Sequence, residues 1–153
     1  MKRIVRIIIA GLALLAWPAA GRAAEPVSLP DPVLVVSGLE YYSVGGRDFT
    51  RYKFRVENHA AFPNELFAPS PELPPCGTNK AAARTWVDFY DESGKRLYGF
   101  CALGKPDDLN GIWFALPTET TPPGRVYIEI NDRKTNTRYK SNLAPTSRDQ
   151  RLK

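Results

Sequence analysis

The sequence predicts an all-β fold, a single antiparallel β-sandwich of about seven strands, and three observations carry that expectation. Short runs rich in β-branched and aromatic residues recur along the chain with turn signals between them. One run alternates cleanly: Tyr52, Phe54 and Val56 fall on one face and Arg51, Lys53, Arg55 and Glu57 on the other, the pattern of a strand half in a core and half in water. Beyond residue 23 no stretch has the apolar period of an amphipathic helix, so the strands have only each other to pack against.

Residues 1–23 read as a secretory signal peptide. Lys2, Arg3 and Arg6 form a basic start, Ile7 to Trp17 an apolar run, and Gly21-Arg22-Ala23 places small residues where signal peptidase inspects them. Cleavage is expected after Ala23, with Ala20 and Ala24 as alternatives. The apolar run is shorter than the ~20 residues a membrane span needs, and Pro18 ends it. The mature protein is therefore expected in the periplasm or outside the cell, without an integral membrane segment.

Residues 24–32, AEPVSLPDP, read as an extended, proline-rich lead-in, because proline fixes φ and lacks a backbone donor. The sandwich domain is expected over 33–141. It opens with a strand at Val33 to Ser37, continued past Gly38 by Leu39 to Ser43, and Gly45-Gly46 then signals a turn into the alternating strand. Five prolines between 61 and 75 forbid a regular helix or a central strand there, and Phe62, Leu66 and Phe67 are expected to tuck against the sandwich. Arg84 to Cys101 reads as a hairpin around Asp91-Glu92-Ser93-Gly94. A polar loop over 105–111, a strand at Ile112 to Leu116, and a proline-rich connection over 117–124 follow. Val126, Ile128 and Ile130 mark another strand, and a last one falls near 137–141. Residues 142–153 lack apolar periodicity and read as a basic, disordered tail.

Charge narrows the partners. The chain carries 21 Lys and Arg against 16 Asp and Glu, net +5. Four of the basic residues, Lys2, Arg3, Arg6 and Arg22, lie in the signal peptide, so cleavage leaves 17 against 16 and a net of +1. Nucleic acid is thereby disfavoured as a partner. Seven basic residues and one acid remain concentrated over 133–153.

Cys76 and Cys101 are the only cysteines. In an exported protein an even pair is a disulfide candidate, and closing a loop of 26 residues would stabilise the fold by about 3 to 4 kcal/mol. There is no Cys-x-x-Cys, and the single histidine, His59, reads as a strand-end residue. No nucleophile elbow, phosphate loop or zinc-protease motif appears, so a non-catalytic protein without metal or cofactor is expected. Asp88, Asp91, Asp107 and Asp108 are the carboxylates a small envelope hydrolase would use; Asp107-Asp108 in DDLNG lacks the spacing of a calcium loop.

Aromatic residues are the better lead. Trp86, Phe89, Tyr90, Tyr98 and Phe100 cannot share one face of a hairpin, since successive residues alternate. One reading makes Trp86 the tryptophan between the sheets, with its neighbours under the proline-rich loop. The other turns aromatics outward as a binding surface, with Tyr90, Tyr98, Trp113, Tyr41 and Tyr42 as candidates and Tyr127 as a further one.

The stretch CGTNKAAARTWVDFYDESGKRLYGFCAL, Cys76 to Leu103, with the flanking ENHAAFPNELFAPSPELPP, resembles uncharacterised exported bacterial proteins with a fibronectin type III or immunoglobulin-like sandwich. At the level of strand pattern the resemblance spans 33–141. It departs from immunoglobulin domains in spacing: Trp86 follows Cys76 by ten residues and Cys101 lies fifteen further on, so the pair is not the usual bridge between sheets. The function expected is recognition of a protein or a cell-envelope glycan. A hydrolase using the carboxylates and an assembly protein pairing through an edge strand are the alternatives.

Overall fold

The computed structural model describes residues 28–75, 83–101 and 103–147. Eight strands are present among them: β1 (Leu34–Val44), β2 (Arg47–Val56), β3 (Thr85–Asp91), β4 (Arg96–Phe100), β5 (Ile112–Pro117), β6 (Arg125–Asp132), β7 (Thr137–Lys140) and β8 (Ala144–Pro145). They form two antiparallel sheets, one ordered β1-β2-β5 and the other β4-β3-β6-β7, with β8 beside β7 along the same strand β6. The architecture is an all-β sandwich, as the alternation of apolar residues predicts. No helix among the described residues is long and apolar enough to cross a membrane.

The β1–β2 hairpin turns through Gly45 and Gly46, both with positive φ, 58° and 75°. Two consecutive residues in that region make the turn whose twist matches the strands beside it. Further back the pairing slips between Val36 and Gly38. This bulge inserts one residue, so Leu34 and Val36 face the core while Glu40 and Tyr42 face outward.

The core lies between the inner faces of the sheets. Tyr52, Phe54 and Val56 of β2 meet Val87 and Phe89 of β3, Ile112 and Phe114 of β5, and Val126, Ile128 and Ile130 of β6, all buried. Phe54, Phe89 and Phe114 form a triangle of rings, with centroids 5.3 to 5.8 Å apart, that joins both sheets.

The proline-rich segment crosses from β2 to β3 through two short 3-10 turns, His59–Ala61 and Asn64–Leu66. Phe62, Leu66 and Phe67 are buried, as their apolar character among prolines demands. The segment is held by polar bonds: Thr85 Oγ1 donates to the carbonyl of Leu66, and Arg84 Nη1 to that of Glu65 at 3.1 Å. Arg133 donates to the carbonyls of Ala83 (2.8 Å) and Pro74 (2.7 Å).

Three expectations change. Residues 105–111 are not an irregular loop: Pro106–Gly111 is a 3-10 helix that buries Leu109. Pro106 supplies the fixed φ, and Asp108 Oδ2 accepts from the backbone N–H groups of Gly104 (2.8 Å) and Lys105 (3.2 Å). The expected tail from 142 also starts too early. Asn142 donates to the carbonyl of Leu34 at 3.0 Å and accepts from its N–H at 2.7 Å, so its amide continues the edge of β1 as a strand would. Beyond it β8 pairs with Arg125 and Val126, and Ala144 and Thr146 are buried. Of the basic cluster, Arg133, Lys134, Arg138 and Lys140 therefore belong to the sandwich itself. Trp86, finally, is not between the sheets, because Thr85, Val87 and Phe89 take the inner face of β3. Residues 1–23, where the signal peptide is expected, residues 24–27, Cys76 and residues 148–153 lie outside the described residues.

Candidate functional site

The outer face of the three-stranded sheet carries Tyr42 of β1, Phe49, Arg51 and Lys53 of β2, and Trp113 of β5. Cross-strand register sets them in a row. Tyr42 pairs with Phe49, and their rings stack at 5.6 Å. The guanidinium of Arg51 lies over both the Tyr42 ring (4.7 Å) and the Trp113 ring (4.4 Å). Trp113 in turn stacks on Tyr98 at 5.7 Å and 23°, and the edge of Phe100 closes the group at 5.9 Å from Trp113. Tyr98 comes from edge strand β4 of the other sheet, so the row crosses the flank of the sandwich.

Charge fixes the row in place. Glu40, opposite Arg51, pairs with Arg51 Nη1 at 3.3 Å and with Lys53 Nζ at 2.9 Å. Its carboxyl sits below the ordinary carboxylate range, first through the hydrogen bond and charge of Lys53. Arg51 Nε is buried without a hydrogen-bond partner, a donor enclosed among rings. Tyr42, Phe49, Trp113 and Tyr98 each have a face engaged by a neighbour, and Phe100 meets Trp113 and Tyr98 edge-on.

Three of the five candidate aromatics, Tyr42, Trp113 and Tyr98, thus come together around Arg51, a residue the sequence reading did not single out. The other two do not join them. Tyr41 pairs with Thr50 on the opposite side of the sheet and is 71% exposed there. Tyr90 lies on the outer face of the five-stranded sheet, stacked at 5.2 Å on the largely buried Tyr127, which Lys140 Nζ covers at 4.1 Å. Its hydroxyl is shifted above the ordinary tyrosine value by burial and then by Asp88 and Glu129.

Each candidate carboxylate has polar partners close by. Asp88 accepts from Arg96 Nε at 2.6 Å and Asn131 Nδ2 at 3.3 Å. Asp91 Oδ1 accepts from Ser93 and from the N–H of Lys95 and shapes the β3–β4 turn. Asp107 lies 3.3 Å from His59 Nε2 at the start of the crossover, where His59 Nδ1 also meets the carbonyl of Val56 at 3.1 Å. Among the described residues no three His, Cys, Asp or Glu gather as a metal ion would need. No described cysteine is free, and the partner expected for Cys101, Cys76, lies outside the described residues.

Comparison with protein-family models, curated proteins and solved structures finds no match to this chain. The site must be read from its own chemistry.

Proposed function

We propose that this protein is an exported, non-catalytic sandwich module that recognises a protein partner through the Tyr42–Arg51–Trp113–Tyr98 row. The observation that supports it is the row itself: Trp, Tyr and Arg, the residues that dominate binding energy at protein interfaces, are stacked and held before any partner arrives. A sugar ring stacks on an open aromatic face, whereas these faces are engaged by one another, so the row favours a protein over a glycan as its partner. Strand order supports a fibronectin type III-like assignment. The fourth strand pairs with the third, whereas in constant-type immunoglobulin sandwiches it joins the sheet of the first two.

Co-purification from the native envelope tests the reading. A stoichiometric protein partner is expected, retained by Tyr90→Ala and lost by Trp113→Ala and Arg51→Ala. Retention of the partner by both of the latter variants would overturn it.

A further inference from the structure

We propose that a second site, on the outer face of the five-stranded sheet, binds an uncharged saccharide with Trp86 as its platform. A pocket of about 330 Å³ opens there, lined by Trp86, Asp88, Tyr90, Asn131, Arg133 and Arg138. That volume suits a small ring or two rather than a protein surface.

The indole is placed by what is missing beside it. Gly99 of β4 lies opposite Asp88, and a Cβ there would meet Trp86 Nε1 at 2.8 Å and Asp88 Oδ1 at 2.5 Å. Trp86 therefore lies across the glycine, in space that any other residue would take from it. Its Nε1 is buried with no acceptor. An indole N–H without a partner is a standing cost, and an oxygen brought by a ligand removes it. Arg96, whose Cζ lies 5.6 Å from the Trp86 ring and whose side chain is half exposed, covers this corner and is the group that gives way.

Charge argues for a neutral occupant. Asp132 is paired with Arg84 and Glu129 with Arg138 at 3.6 Å, and when Arg96 gives way Asp88 is left as an acceptor whose charge the Arg133 guanidinium in the same lining offsets. The Arg133 guanidinium is spent on two backbone carbonyls. With the Asp132–Arg84 and Glu129–Arg138 pairs intact and Asp88 set against Arg133, the lining carries no net charge to favour an anion or a cation. What it offers is an aromatic ring, carboxylate acceptors, and the amide of Asn131, which both donates and accepts. Hydroxyls on a pyranose also do both, and its C–H face matches the ring. This site stands on residues separate from the Tyr42–Trp113 row, so either can fail alone.

The test is nitrogen-resolved NMR of the purified protein titrated with chitotriose, cellotriose and maltotriose. The chain has three tryptophans, Trp17, Trp86 and Trp113, and the Trp86 indole signal is assigned by its loss in Trp86→Phe. At least one sugar should move that signal saturably, with Kd below about 5 mM, and leave Trp113 in place. Asn131→Ala and Asp88→Asn should each weaken the binding at least about fivefold, which is about 1 kcal/mol. No shift with any of the three sugars, a shift of Trp113 instead, or undiminished binding in both variants would overturn the proposal. So would a response to hexaglutamate alone, which would make the ligand an acidic peptide.

Discussion

Arg84 and Asp132 meet through two parallel hydrogen bonds, Nε to Oδ1 at 2.8 Å and Nη2 to Oδ2 at 2.7 Å. The pair locks the start of β3 to the end of β6, and Asp132 also accepts from Thr135 Oγ1 and the N–H of Lys134. Arg84 first, then Thr135 and Lys134, hold the Asp132 carboxyl at about 2 against the opposing effect of burial. The folded value lies below the unfolded one, so the contribution is complete above pH ~4 and lost as pH falls toward 2. Its size is about 2 kcal/mol. Urea unfolding at pH 5 and at pH 2.5 should show the wild type losing more stability than Asp132→Asn over that interval. Equal losses would mean that Asp132 is not the group titrating.

The Gly45-Gly46 turn gives a sharper local test. Both residues have positive φ, and neither position is crowded: a Cβ would meet nothing within 4 Å. Any cost of substitution is therefore backbone strain alone. Gly45→Asn should cost only a few tenths of a kcal/mol, since Asn tolerates this region, whereas Gly46→Val should cost about 1 to 2 kcal/mol. Thermal unfolding of the two variants distinguishes them, and equal midpoints would mean that the turn relaxes to another form.

How much of this was legible in the sequence depends on how far each signal reaches along the chain. Tyr52, Phe54 and Val56 declared their face through alternation within one strand, and all three are buried. The outward turn of Tyr42 was not readable in the same way, because the bulge between Val36 and Gly38 changes the parity of everything after it. Gly38 inside a strand pattern was the available hint. Trp86 carried a hint too: Asp88 shares its face, and a carboxylate midway along a strand marks the side away from the core. Arg51 was invisible as a site residue. Its partners Tyr42 and Trp113 come from two other strands, and only the register of three strands brings them together.

Asn142 replaces a strand with one side chain, and its removal should show. The amide gives and takes a hydrogen bond at Leu34, which begins β1 and is buried. Asn142→Ala leaves that backbone N–H and carbonyl without their partner, at a cost of about 1 to 3 kcal/mol. Asn142→Asp keeps the acceptor for the Leu34 N–H but sets a carboxylate against its carbonyl, so it should not restore stability. Denaturant midpoints for the two variants, with amide exchange at Leu34, check this. Unchanged protection at Leu34 in the alanine variant would show that β1 is held by β2 alone.

The proposed Cys76–Cys101 bond would tie the proline-rich crossover to the end of β4, immediately after Phe100, whose ring abuts both Phe89 and Trp113. That makes it relevant to the aromatic row as well as to stability. If one bond links the two residues, Cys76→Ser, Cys101→Ser and the double variant should each lose about 3 kcal/mol, since breaking the bond from either side removes the same constraint on the unfolded chain. Two separate thiols would instead give losses that add. Alkylation without reductant should leave the mass of the wild type unchanged, and with reductant it should add two adducts. Loosening β4 should also broaden the NMR signals of Tyr98 and Trp113 in the serine variants while leaving Phe54, inside the core, sharp. Sharp Tyr98 and Trp113 signals in the double variant would show that the row is held by Arg51 and its own stacking rather than by the crosslink.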